Sequence, residues 1–135
     1  MYVKIQRSVD MFKSKFCEVS YNEQYNVVFV KWKEFCRMED YREPLRYALQ
    51  IIDSHDGCNY VADTRDGFEN DPEDTKWVAE YFMPEAVKAG CKYIFFIIDK
   101  ENRLEDELKR QEDDSSDKIS FKYIYDLSEL NEFMN

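Results

Sequence analysis

The stretch from Tyr60 to Asp99 constrains this chain more than any other. A short apolar strand, Tyr60-Val61-Ala62, runs into the polar turn Asp63-Thr64-Arg65-Asp66-Gly67. Asp71-Pro72 then opens a helix, and an apolar strand from Tyr93 to Ile98 ends in Asp99. A strand, a helix and a second strand at this spacing make a β–α–β unit with parallel strands. Polar residues stand at both strand ends, the place where open α/β sheets meet ligands and partners.

The helix of this unit carries its own start and stop signals. Asp71 is placed to cap it, Pro72 takes the first position where no N–H is needed, and Glu73 and Asp74 complement the helix dipole. Trp77, Val78, Tyr81 and Phe82 are expected to face inward. Pro84 must kink the helix or begin another, and Gly90 is a natural stop.

Upstream, residues 1–14 form a mixed lead-in, with Tyr2, Val3 and Ile5 suited to an edge strand. Cys17, Val19 and Tyr21 alternate with Glu18 and Ser20, as in a half-exposed strand. The nearly continuous apolar run from Tyr25 to Trp32 reads as a strand buried on both faces, joined to the first by the Asn22-Glu23-Gln24 turn as an antiparallel hairpin. A helix is expected to begin at Asp40. Asp40 and Glu43 have capping-box spacing, Pro44 falls in the first turn, and Tyr41, Leu45, Ala48, Leu49 and Ile52 line one stripe. Asp56-Gly57 ends it.

Downstream, Glu105/Lys109 and Asp106/Arg110 give a surface helix over residues 101–112, followed by the acidic loop 113–117. Ile119, Phe121, Tyr123 and Tyr125 mark a strand. Asp126 and Glu129 form a second capping box ahead of a last helix packed by Leu127, Leu130, Phe133 and Met134. The order β-β-α-β-α-β-α-β-α predicts an α/β fold: a mostly parallel five-stranded sheet with an N-terminal antiparallel hairpin and about four helices, all within one domain over 1–135.

Bulk properties exclude several function classes. The net charge of −10 opposes binding to nucleic acid or to an anionic membrane surface, because both rest on Lys and Arg neutralising phosphates. The longest clean apolar run has six residues, Tyr93 to Ile98, against the roughly 20 that a spanning helix needs. With no hydrophobic leader at the N-terminus, a cytoplasmic location without membrane insertion is expected. Cys17, Cys36, Cys58 and Cys91 contain no closely spaced pair, so they are read as buried, reduced thiols.

Catalytic motifs fare no better. The glycine patterns of dinucleotide and phosphate loops and the nucleophile elbow are absent. The lone His55 sits at a helix end beside Asp53 and Asp56 and is read as a solvated helix-end residue. Asp63, Asp66, Glu69, Asp71 and Asp74 crowd one loop, yet aligning Gly67 to the glycine of a calcium loop puts Ala62 where the first ligand belongs. No catalytic set, cofactor or metal centre is assigned. A looser Mg²⁺ site from Asp63 and Asp99 would make a metal-assisted enzyme. Trp32, Trp77, Tyr81, Phe82, Phe95 and Phe96 would serve either as core or as the lining of an apolar pocket.

Over residues 60–99 the chain resembles the STAS/SpoIIAA-like domains of bacterial anti-sigma-factor antagonists. The likeness rests on Val61-Ala62-Asp63-Thr64-Arg65, Trp77, Pro84, Ala89-Gly90 and the strand from Tyr93 to Asp99, and in element order on roughly residues 15–135. It implies protein–protein regulation without a defined reaction, or, by way of the related CRAL-TRIO lipid carriers, binding of a small apolar ligand. The family's phosphorylatable serine is missing: Thr64 is the only hydroxyl near the junction, and Arg65 follows it. The first expectation is therefore a non-enzymatic interaction domain that meets its partner through Asp63, Thr64, Arg65, Asp66, Phe68 and Asp99. The alternatives are an apolar-ligand carrier and the Asp63/Asp99 metal site. A homodimer through an open sheet edge is a further expectation.

Overall fold

The computed structural model describes residues 11–66, 71–99 and 119–133. Its element order is β1 (Met11–Lys13), β2 (Cys17–Asn22), β3 (Val27–Trp32), α1 (Glu39–Ser54), β4 (Asn59–Asp63), α2 (Pro72–Trp77), a π-helical turn (Val78–Phe82), α3 (Met83–Lys88), β5 (Tyr93–Ile97), β6 (Ser120–Ile124) and a 3₁₀ helix (Leu127–Phe133). The six strands form one mixed sheet in chain order. β1, β2 and β3 are antiparallel, and β3 to β6 are parallel. The α/β class and the hairpin agree with the sequence reading. The sixth strand is β1, which falls in the segment read as a lead-in. The surface helix over 101–112 and the acidic loop after it lie outside the described residues.

Alternation along each strand divides the core in two. Val19, Val28, Val30, Tyr60, Ala62, Ile94, Phe96 and Phe121 face the helices and pack against Leu45, Ala48 and Ile52 of α1 and Phe82 and Ala86 beyond it. Val27, Val61, Phe95, Ile97 and Ile124 face the other way, where Leu130 of the 3₁₀ helix packs on them. β4 and β5 are buried on both faces, which explains their unbroken apolar runs. The second capping box forms as expected: Glu129 accepts from the Asp126 N–H at 3.0 Å and Asp126 accepts from the Ser128 N–H at 3.0 Å, here opening a 3₁₀ rather than an α-helix.

Three local expectations are corrected. α1 begins before Asp40: Met38 is its N-cap and makes no side-chain cap bond, and the Met38 N–H is instead taken by Asp74 of α2 at 3.0 Å. Pro44 consequently lies inside the helix rather than in its first turn. The ring leaves the Asp40 carbonyl without an N–H four residues on, and the Cys36 thiol donates to that oxygen at 3.6 Å. Pro84 does start a second helix, standing in the first positions of α3, but, third, the segment before it does not keep an ideal helical period. The preceding turn widens to a π turn, with the Met83 N–H reaching back five residues to the Val78 carbonyl. The extra residue in that turn keeps Phe82 buried but turns Tyr81 outward, against the expectation that both face inward.

Candidate functional site

The carboxyl ends of β3, β4, β5 and β6 lie side by side, since Lys31 pairs in register with Asp63, Asp63 with Ile97, and Ile97 with Ile124. Asp63 closes β4 with its side chain buried. A buried carboxylate needs partners, and the turn that follows supplies them. Arg65 Nε donates to Asp63 Oδ1 at 2.9 Å, Arg65 Nη2 donates to Oδ2 at 2.8 Å, and the Arg65 backbone N–H donates to Oδ1 at 3.1 Å. The result is a two-pronged pair that closes over only two residues of chain. Lys31 Nζ adds a second cation 3.8 Å from Asp63 and 3.4 Å from Asp66. Burial pushes the Asp63 carboxyl up, but the Arg65 side-chain and backbone hydrogen bonds and the charges of Arg65 and Lys31 outweigh it, so the group sits below the usual carboxylate range. Arg65 is raised in turn, first by its bond to Asp63.

The other expected site residues take distinct places. Thr64 is buried, and its hydroxyl and its N–H both donate to the Ile97 carbonyl, at 2.9 and 3.0 Å. The hydroxyl therefore serves as a cross-strand tie between β4 and β5. Asp66 is exposed beside Lys31, Asp99 stands exposed just past β5, and Phe68 lies outside the described residues. Asp126 joins this edge from the start of the 3₁₀ helix and interacts with Arg65 through charge; its own carboxyl is held low, first by the Ser128 side chain. Nothing in the local sequence around Asp126 linked it to Arg65, because the two meet only through the register of β4, β5 and β6.

The described acids of the crowded loop do not converge, and Glu69 lies outside the described residues. Asp71 caps α2 by accepting the Glu73 N–H at 2.9 Å and pairs with Arg37 at 3.4 Å. Asp74 is fully buried against α1, accepting from Arg42 Nε at 2.8 Å. Both Asp63 oxygens are already bonded to Arg65, so a cation shared with Asp99 would have to displace Arg65 and Lys31 first. Among the described residues no three His, Cys, Asp or Glu side chains gather as a metal site.

The aromatic residues do not share one space either. Phe96 packs on the helix side and Phe95 on the opposite side of the same strand, while Tyr81 is exposed. Trp32 stacks on Tyr41 at 5.0 Å, and Tyr60 meets Phe82 edge-on at 5.3 Å. His55 is not simply solvated. It stacks on Tyr21 at 3.7 Å, and its Nδ1 lies 2.9 Å from the Ile51 carbonyl, which can only accept, so Nδ1 carries the proton. The four cysteines are free and buried, as expected. Burial, the leading cause in each case, pushes the Cys17, Cys36 and Cys91 thiols up to about 12, 11 and 12.

No family model matches this chain, and no curated protein or solved structure matches it. Among the described residues no helix is long and apolar enough to cross a membrane.

Proposed function

We propose that this chain is a non-enzymatic interaction domain of the STAS/SpoIIAA-like kind, and that it meets a protein partner at the carboxyl edge of its parallel strands. The observation that carries this reading is the Asp63–Arg65 pair. A buried carboxylate grips the guanidinium at two atoms while the arginine stays about half exposed, so an arginine is held ready at the sheet edge before any partner arrives. Arginine is among the residues that dominate interface energetics, and prior fixing lowers the entropic cost of using it. Asp66, Phe68 and Asp99 are the further contact candidates, with Asp126 added from the structure. The α/β class and the N-terminal antiparallel hairpin fit this reading.

The test is affinity capture from the source cell with the wild-type chain and with Arg65→Ala, Asp66→Ala and Phe68→Ala combined, quantified by mass spectrometry. The reading expects at least one partner to be lost by the triple variant. If every captured protein is retained, the carboxyl edge is not the contact. Native mass spectra of the purified chain decide the ligand-carrier and metal readings: a mass excess that disappears on denaturation would put one of them in place of the interaction domain.

A further inference from the structure

We draw no further inference here: the strongest candidate, the surface patch on the face between the start of α1 and the π turn, where Met38 and Tyr81 are exposed, carries nothing because Arg37, Arg42 and Arg46 beside it are already paired with acids and nothing in the structure shows what covers it.

Discussion

Asp63 and Asp74 do the same chemistry over very different distances along the chain. Asp63 bonds Arg65, two residues on, at the end of its own strand. Asp74 bonds Arg42 and the Met38 N–H, 32 and 36 residues earlier, on another helix. At Asp63 the acid is buried but both cations keep water contact. At Asp74 the acid has none, and the arginine has little. A short-range pair of the first kind shapes one turn and holds an arginine for use at the surface. A long-range pair of the second kind sets two helices against each other and holds the N–H of Met38, whose φ is 55°. Solvent access then decides how much each is worth, because a partner left behind in water is rescued and one left behind in the interior is not.

The sharpest way to break this contrast is to remove each acid. Asp74→Ala strands the Met38 N–H and the Arg42 guanidinium and is expected to cost about 3–5 kcal/mol in urea unfolding, as for one partner of a buried pair. Asp63→Asn leaves cations that can turn to water, and about 1–2 kcal/mol is expected once their exposure is allowed for. Equal losses would erase the distinction between the two faces.

Acid sharpens it further. The Asp63 carboxyl is held below its ordinary value of 3.8 in the folded chain. A group depressed in this way contributes stability that is whole above the unfolded value and is lost as pH falls through the lower folded value. The gap between wild type and Asp63→Asn should therefore be constant from neutral pH down to about 4 and close below it. A gap unchanged at pH 2 would mean that the asparagine acts through packing rather than through lost charge. The smallest effect expected has the opposite sign. Met38→Gly relieves the left-handed strain and should raise stability by up to about 1 kcal/mol, after the greater freedom of glycine in the unfolded chain is set against it. A loss on this substitution would show that the Met38 side chain, not the backbone, matters to the fold.

Legibility followed the same divide. The hairpin, the apolar strands β4 and β5, the Asp71 cap and the Asp126/Glu129 box are readable because each depends on residues within a few positions of one another. Asp63 and Arg65 stand out in the sequence by their place in the turn that ends a strand, while their pairing is seen only in the structure. The start of α1 is not legible in the sequence because the N–H of its N-cap, Met38, is held from α2, and the place of Pro44 inside the helix follows from that start. An ideal helical period carries Tyr81 inward, but the turn it lies in is π-helical and Tyr81 is exposed.

The sequence by itself determined the alternation of strands and helices, the local caps and turns, and the acidic charge, all of which are set by propensity and short-range bonding. Only the tertiary structure decided which acids went inside, that Phe95 and Phe96 serve opposite faces, and that Arg42, Arg46, Trp77 and Met38 became neighbours. A buried charge takes whatever partner the packed elements bring within reach, and no spacing along the chain encodes that choice.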